Sequence, residues 1–432
     1  MITKASLLKP ITSIALVLML MLGITLPAFG APAGPLEGDE TNPAETKVTK
    51  LLVMPAGTTT PNASFTFEFA PVSVDDSTDA AALATMPVVT DKIVNYDATA
   101  VGTTSNGIKT VPVETDSIFA NVVWPHAGVY VYQVTEKKDT YTIANSFLED
   151  MTYSKGAYDI TAYVQEKADK SGYYVFAIAA TIVINDASNT GQQPGVKVNP
   201  TPNGGPGSIS GTYSQIAFTN EYTKNNGGTN PVKDSVLRVG HEVSGAFADK
   251  TKPFSYDVTV TNPSTVTNNA KTYKAYVMDE NDQVVANISG IVNASYIKND
   301  PTYGNYIEFT TGAPLSLKLT HGQYLSFVDL PVGASFAAKV SGETDYTPRY
   351  ALTLDGILVT QSLGIEANDL GFAPQLIGEA ANIADFVNVY KTVTPTGISV
   401  DTLPYLVLIA LAVCAMVGYV ATKSRKSTQI DA

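Results

Sequence analysis

The sequence predicts an all-β fold, because its composition and the alternation of its residues both favour strands. It contains 23 Tyr and 15 Phe, and 32 Gly and 25 Pro supply turns. Aromatic and β-branched residues fit pleated strands, and Gly and Pro separate strands along a chain. Phe65, Phe67 and Phe69 alternate with Thr66 and Glu68. This period of two turns one face of a strand toward a core, and no helical heptad competes with it.

The N-terminal residues 1–30 have the three parts of a secretory signal peptide. They combine a charged start at Lys4 and Lys9, an apolar run from Ile11 to Leu26, and the small residues Ala28 and Gly30 on either side of Phe29. This order predicts cleavage by signal peptidase near Ala31. The chain from residue 31 to the C-terminal apolar span is therefore expected outside the membrane.

The C-terminal segment 392–432 also has three parts in a defined order. A pentapeptide comes first, an apolar span follows at 403–421, and a basic tail contains Lys423, Arg425 and Lys426. The span has roughly the 18 to 20 residues that a membrane helix needs, and the basic tail is expected on the cytoplasmic side. An ordinary single-pass membrane anchor is one interpretation. The pentapeptide consists of Val393, Thr394, Pro395, Thr396 and Gly397.

This order resembles the cell-wall sorting signal of Gram-positive bacteria, in which a sortase cuts an LPxTG-like motif between Thr and Gly. The resemblance implies cleavage between Thr396 and Gly397. Val393 and Thr394 stand where Leu and Pro are commonest, and the proline has moved to Pro395, as pilin sorting signals often show. A secreted, wall-anchored surface protein is implied, with a precursor held transiently in the membrane.

The charge and the rare residue types exclude several function classes. A formal net charge of -13 argues against nucleic-acid binding, which needs a basic face. The single cysteine, Cys414, lies in the apolar span, so the exported part has no intrachain disulfide. His126, His241 and His321 lack ligand-like spacing, so neither a metal site nor a histidine-based triad is predicted. No cofactor is expected.

The exported part is long enough for two domains. The polar run NNGGTNP lies within Glu221 to Lys233, and such Gly- and Asn-rich runs form joints between domains. We therefore place a first domain at 31–224, a flexible linker at 225–233 and a second domain at 234–391. A second Gly-, Pro- and Asn-rich stretch, Asn185 to Gly211, is predicted to be a long loop of the first domain.

The two halves share an order of short motifs. The first half opens with KVTKLLV, which contains Lys50, continues to a VTE that ends at Glu136, and closes with IAFTNEY, which contains Asn220. The second half closes with ADFVNVY just before the C-terminal segment. These blocks resemble the pilin isopeptide-linkage domains of Gram-positive major pilins over nearly the whole mature chain. The resemblance implies two tandem immunoglobulin-like (Cna B-type) β-sandwiches.

In that family a lysine of the first strand bonds covalently to an asparagine of the last strand, assisted by an acidic residue. The resemblance implies a bond between Lys50 and Asn220, assisted by Glu136. Burial lowers a lysine pKa and raises a carboxyl pKa, which frees the amine to attack. Lys47 is the rival nucleophile, but its odd separation from Lys50 puts it on the opposite strand face. Three unrelated surface or turn residues are the alternative interpretation.

The second half departs from the family at the corresponding positions. His241 stands where a lysine is expected, while Glu343 and Asn388 fit the acid and the acceptor. An imidazole cannot form the same stable amide. No isopeptide bond is therefore predicted in the second domain unless Lys233 enters the core by a change of register. The spacing around Glu343 also differs from the VTE of the first half.

The leading functional hypothesis is a major pilin subunit. A sortase would polymerise it into a covalent fibre with other copies of itself and attach it to peptidoglycan, with minor pilins as further partners. An exposed lysine must then attack the sortase-bound Thr396 of another subunit, and Lys197 is the candidate. A singly anchored adhesin that binds a host protein or glycan is the second hypothesis. An anchored enzyme is the third, and no nucleophile elbow or phosphate-binding loop supports it.

Overall fold

The computed structural model describes residues 34–143, 148–186, 193–203, 212–263 and 272–391. The predicted signal peptide at 1–30, the sorting motif from Val393 to Gly397 and the apolar span at 403–421 lie outside these ranges. Across the described ranges, none of the helices has the length and hydropathy needed to cross a membrane. Strands dominate the described residues, so the predicted all-β class is confirmed.

The first domain consists of strands, with the short helix α1 at Ala80–Leu83. Its strands are β1 (Leu36–Glu37), β2 (Thr49–Pro55), β3 (Ala63–Val74), β4 (Lys92–Tyr96), β5 (Thr103–Ser105), β6 (Ile108–Glu114), β7 (Gly128–Glu136), β8 (Glu149–Thr152), β9 (Ala157–Glu166), β10 (Tyr173–Ile184), β11 (Lys197–Val198) and β12 (Ala217–Asn226). Strand β11 lies within the stretch that the sequence predicted to be a long loop.

The second domain is built in the same way, with a short 3-10 helix at Ala294–Tyr296. Its strands are β13 (Ser235–Ser244), β14 (Phe254–Thr261), β15 (Thr272–Met278), β16 (Ile297–Asp300), β17 (Gly304–Thr310), β18 (Leu315–Leu319), β19 (Tyr324–Val328), β20 (Leu330–Pro331), β21 (Ser335–Val340), β22 (Tyr346–Leu354), β23 (Ile357–Leu363), β24 (Leu370–Gly371), β25 (Gln375–Leu376) and β26 (Asn382–Tyr390).

The two sheets of the first domain pack face to face as a sandwich. One sheet has the order β1-β10-β9-β7-β3-β4 with β11 beside β10, and the other contains β12-β2-β6-β5 with β8 beside β12. Phe65, Phe67 and Tyr132 of the first sheet share a buried core with Leu52 and Phe218 of the second. The alternation read from the sequence produces this face, because residues two apart on a strand point the same way.

The second domain has a separate core between two further sheets. One has the order β16-β17-β15-β19-β13-β26-β22-β23, and the other has β18-β14-β21-β24 with β25 beside β21. Leu237 and Phe386 of the larger sheet lie in one buried cluster with Phe254, Tyr256 and Phe336 of the smaller one. Each half of the chain therefore buries its own apolar residues.

In both domains the opening core strand lies beside the closing strand and parallel to it. Residues 49–53 of β2 pair with 217–221 of β12, and residues 237–244 of β13 pair with 382–389 of β26. Strands far apart in sequence are thus direct neighbours in space. A covalent bond between them would close the domain around its core.

Hydrogen bonds hold the junction between the domains. Strand β12 continues to Asn226, and its last two residues pair with β20 of the second domain. Glu379 Oε2 lies 2.7 Å from Lys224 Nζ, and Glu379 Oε1 accepts from the Thr59 N–H at 2.8 Å. The start of the segment 225–233, predicted as a flexible linker, is therefore fixed by strand pairing.

Candidate isopeptide-forming site

Three polar side chains meet in the otherwise apolar core of the first domain. Lys50 Nζ donates to Glu136 Oε2 at 2.7 Å, and Asn220 Nδ2 donates to Glu136 Oε1 at 2.7 Å. Lys50 and Asn220 are fully buried, and the side chain of Glu136 is fully covered. Such groups are tolerated in a core only when they have polar partners. One carboxyl group therefore bridges the amine and the amide.

Strand register brings these side chains together. Lys50 on β2 pairs with Phe218 on β12, and Leu52 pairs with Asn220. Residues in register on parallel strands share a face, so Lys50 and Asn220 are diagonal neighbours on the core face. Glu136 is the last residue of β7, on the opposing sheet. The site therefore spans both layers of the sandwich.

Aromatic rings enclose the polar group. Lys50 Nζ lies 4.8 Å from the centroid of the Phe65 ring. The ring of Phe218 packs against Phe67 and Tyr158, with centroids 5.1 and 5.2 Å apart. These rings displace water, and electrostatic interactions strengthen where water is absent.

Burial moves both titrating groups toward their neutral forms. Desolvation lowers the pKa of Lys50 from 10.5 to about 8, although the charge and hydrogen bond of Glu136 act to raise it. Desolvation also raises the pKa of Glu136 above its usual value of 4.5, against the opposing effects of Lys50 and Asn220. A lysine attacks only as the neutral amine. The core therefore favours the reactive form of Lys50.

A backbone donor polarises the acceptor amide. The Ser154 N–H donates to Asn220 Oδ1 at 2.7 Å, so it faces the oxygen on which negative charge develops when an amine attacks the adjacent carbon. Glu136 faces the amide nitrogen, the atom that would leave in such an attack. Sequence reasoning missed Ser154 because a backbone N–H has no side-chain signature.

The structure also locates the other two lysines of the first domain that the sequence singled out. Lys47 is only partly buried, in contrast to Lys50. Lys197 is exposed on β11. Two residues further on, Asn199 exchanges hydrogen bonds with Gln215, at 2.7 Å to Gln215 Oε1 and 2.8 Å from the Gln215 N–H. Lys197 therefore lies beside the start of β12, despite its distance in sequence.

The second domain repeats the strand geometry with different chemistry. His241 pairs with Phe386, and Val243 pairs with Asn388, which is the register that Lys50 and Asn220 have in the first domain. His241 Nδ1 lies 2.6 Å from the Tyr256 hydroxyl. Burial lowers the pKa of His241 to about 3. The ring is therefore neutral around pH 7.

An apolar residue occupies the place of the assisting acid in the second domain. In the first domain Glu136 pairs with Phe67 on β3. The corresponding pair in the second domain is Val340 with Tyr256 on β14. Val340 is fully buried, so this domain has no carboxyl group at that position.

Two sequence expectations for the second domain change accordingly. Glu343, expected as the assisting acid, lies at the surface, with Oε2 3.0 Å from Lys252 Nζ. Lys233, the substitute nucleophile that a register change would have required, is exposed. Among the described residues, no hydrogen-bond partner reaches His241 Nε2 or Asn388 Nδ2. Of the three residues predicted as a degenerate site, His241 and Asn388 are therefore buried in the core, and Glu343 is not.

Comparison with known families assigns a class to the first domain. Residues 46–223 match the family model described as the Spy0128-like isopeptide containing domain. The first domain is thus similar to isopeptide-containing domains, and the predicted resemblance to pilin isopeptide domains is confirmed for this part of the chain. Residues 235–368 match a second model, described as a domain of unknown function (DUF7601). No curated protein matches the chain.

Several solved structures are similar to the chain. The major pilin from Streptococcus pyogenes is 16% identical, over 81% of this chain and 100% of that chain, with a TM-score of 0.29. The T3.2 major pilin from Streptococcus pyogenes is 17% identical, over 80% and 99%, with a TM-score of 0.29. The pilus-presented adhesin Spy0125 (Cpa) is 14% identical, over 55% and 36%, with a TM-score of 0.21.

Proposed function

We propose that the protein is a structural pilin subunit whose first domain closes itself with a Lys50–Asn220 isopeptide bond. The observation that carries this proposal is the buried contact chain from Lys50 through Glu136 to Asn220. It joins the opening and closing strands of a domain that matches the isopeptide-containing family. A bond there would substitute for the disulfides that the exported chain lacks.

The reaction is an amide exchange inside one chain. The neutral amine of Lys50 attacks Cγ of Asn220, a bond forms between Nζ and Cγ, and the bond between Cγ and Nδ2 breaks. Glu136, in the neutral form that burial favours, gives its proton to Nδ2 and takes the proton lost by the amine, and Nδ2 leaves as ammonia. The Ser154 N–H stabilises the oxygen of the intermediate. Folding holds the reactants together, which replaces about 7 to 11 kcal/mol of barrier in well-oriented reactions.

This chemistry is a single event within each molecule. Lys50 and Asn220 are consumed, so the site does not turn over and the protein is not an enzyme in the usual sense. The bond has a mechanical effect. A covalent link between β2 and β12 prevents the strands between them from being pulled apart. We therefore assign a structural role to the whole chain.

Polymerisation is supported by the positions of the two reacting ends. Lys197 lies near the start of β12, whose other end contacts the second domain. In the second domain β26 runs parallel to β13, so it ends at Tyr390, far from the junction. Lys197 and Tyr390 therefore lie at opposite ends of the molecule. A sortase that joins Thr396 of one copy to Lys197 of the next would build a head-to-tail fibre.

The same sorting motif, from Val393 to Gly397, would attach the fibre to peptidoglycan on the cell surface. The composition of this segment, with its apolar span and basic tail, supports an exported protein that is transiently held in the membrane. Sortase and peptidoglycan are thus the proposed partners, together with other copies of the chain.

The test is expression of the full chain in a Gram-positive host with a pilin-type sortase. Wall extracts should give a ladder of detergent-resistant species, and deletion of Thr396 and Gly397 should leave only the monomer. Lys197→Ala should also abolish the ladder, whereas Lys138→Ala, at another exposed lysine of the first domain, should retain it. If the ladder persisted in Lys197→Ala, the lysine that links the subunits would have to be another one. A single wall-bound band from the native chain would overturn the fibre.

A further inference from the structure

Strand β23 is an edge strand with an apolar, exposed surface. It ends the eight-stranded sheet in the described part of the chain. Ile357 is 67% exposed, Leu358 55%, Val359 50% and Leu363 63%. Edge strands are normally protected by charge, proline or a covering segment. Residues 356–365 contain neither a charged residue nor a proline. Among the described strands only β22 pairs with β23, so its other edge presents backbone hydrogen-bonding groups beside apolar side chains.

The inner side of this strand is firmly held. Asp355 and Gly356 adopt φ values of 50° and 77° and form the two-residue turn that favours a tight hairpin. Strand β22 pairs with β23 from Leu354 with Ile357 to Arg349 with Leu363, with a β-bulge at Val359. The exposed edge is therefore a formed strand, whose conformation a partner strand can meet without first ordering it.

We propose that β23 pairs antiparallel with β23 of a second copy of this chain. An isologous pair places each residue opposite its symmetry mate, so a charged strand would repel itself. The uncharged segment 356–365 avoids this penalty, whereas the chain as a whole has a net charge of -13 and repels its copies elsewhere. The strand can thus lie against an identical strand without like-charge repulsion.

A symmetric register centred on Thr360, the middle residue of β23, overlaps the two strands along their full length. It sets Thr360 opposite Thr360 of the second copy. Threonine pairs directly opposite each other stabilise antiparallel sheets. The eight-stranded sheets of the two copies would then continue into each other across the shared edge.

Strand direction determines how the two molecules would be oriented. Strand β22 is antiparallel to both β26 and β23, so β23 runs parallel to β26, away from the domain junction. Antiparallel pairing therefore places two copies side by side and pointing in opposite directions. Fibres from two facing cells have this relationship. That cellular consequence rests on the proposed function, but the pairing itself does not.

Repetition along a fibre would compensate for the small size of each contact. One pair of seven-residue strands buries little surface and is expected to bind weakly. Each subunit of a fibre carries the same strand, so two fibres in register would form many such contacts at once. Linked contacts gain affinity from the high effective concentration of the later ones.

Sedimentation velocity tests the pairing on the segment 34–391, which contains both hydrophobic cores. The native segment should form a dimer whose fraction increases with concentration. Thr360→Lys places two like charges opposite each other and should raise the dissociation constant by about tenfold or more. Thr103→Lys is the matched control, since Thr103 is an exposed threonine on the edge strand β5, and it should dimerise like the native segment.

A cysteine substitution reports the register. The segment 34–391 has no cysteine of its own, so Thr360→Cys should give a disulfide-linked dimer under mild oxidation much faster than Thr103→Cys. A native segment that stays monomeric at all attainable concentrations would overturn the proposal. So would a dimer that tolerates Thr360→Lys, or equal crosslinking rates for the two cysteine variants. None of these results depends on the covalent fibre.

Discussion

Lys50 and His241 occupy the same place in the two domains. Lys50 lies opposite Phe218 of the closing strand β12, and His241 lies opposite Phe386 of the closing strand β26. Both residues are fully buried or nearly so. One strand geometry therefore carries a buried lysine amine in the first domain and a neutral imidazole in the second. The side chains at these positions, rather than the pairing of the opening and closing strands, determine which domain can form a covalent crosslink.

The intact mass of the segment 34–391 should be lower than the mass of its sequence. The bond between Lys50 and Asn220 releases one ammonia, so the deficit should be about 17 Da. Lys50→Ala should restore the full mass, because it removes the attacking amine, and Lys47→Ala should keep the deficit. Mass spectrometry of the denatured protein measures this directly. No deficit in the native segment would eliminate the crosslink, and a double deficit would place another bond elsewhere in the segment.

Glu136→Gln should fold but remain uncrosslinked. The glutamine side chain has nearly the same shape and can still contact Lys50 and Asn220, but it cannot carry a proton from the amine to the leaving nitrogen. The full sequence mass, together with an unchanged β-rich circular dichroism spectrum, is the expected result. Glu379→Gln, remote from the core, should retain the deficit. If Glu136→Gln still lost ammonia, the proton would have to travel by a route that avoids this carboxyl group.

Stability of the Glu136→Gln variant should increase with pH above neutrality. The pKa of Lys50 is about 8 in the native fold and 10.5 as an ordinary lysine. The substitution removes the Glu136 charge that raises it, whereas desolvation remains. Between these two values the unfolded chain binds more protons at Lys50 than the folded chain does. The free energy of unfolding should then rise by up to about 1.4 kcal/mol per pH unit in that window.

Urea unfolding across that window measures the effect. Tyrosines ionise in the same range, so the comparison is with a double variant that combines Glu136→Gln and Lys50→Met. The double variant lacks the titrating amine and should show a shallower increase with pH. Equal slopes for the two proteins would mean that Lys50 is not desolvated in the folded state.

The first site could be predicted from the sequence because its KVTKLLV, VTE and IAFTNEY motifs resemble those of pilin isopeptide domains, and this resemblance implied Lys50, Glu136 and Asn220. Strand alternation then set Lys47 on the opposite face from Lys50. Ser154 could not be predicted, since its contribution is a backbone N–H. The contrast between Val340 and Glu343 also required the structure. Val340 is the last residue of β21 and Glu343 lies three residues beyond it, and the pairing of β21 with β14 shows that Val340 stands at the position of Glu136.

Glu379→Ala should loosen the junction between the domains. Glu379 accepts from the Thr59 N–H and from Lys224 Nζ, and the ion pair is partly shielded from solvent. Loss of these contacts should favour local opening by about 1 to 2 kcal/mol, which corresponds to roughly five- to thirtyfold faster proteolysis within 227–234. Glu366→Ala is the control, because it removes only an ion pair with Lys391 at the surface of the second domain. Equal cleavage rates for the two variants would show that strand pairing alone holds the junction.

The second domain should become able to crosslink when its missing groups are supplied. His241→Lys places an amine diagonal to Asn388, in the register that Lys50 has with Asn220, and Val340→Glu adds a carboxyl group at the position of Glu136. The double variant should lose a second ammonia, for a total deficit of about 34 Da.

His241→Lys alone should lose only the first ammonia, because no acid would shuttle its proton. It should also be less stable than the native protein, because it buries an unpaired amine. A further Asn388→Ala substitution should cancel the second deficit and leave the first. A double variant that folds but shows no second mass deficit would mean that strand register is insufficient for this chemistry. A backbone donor like the Ser154 N–H of the first domain would then also be required.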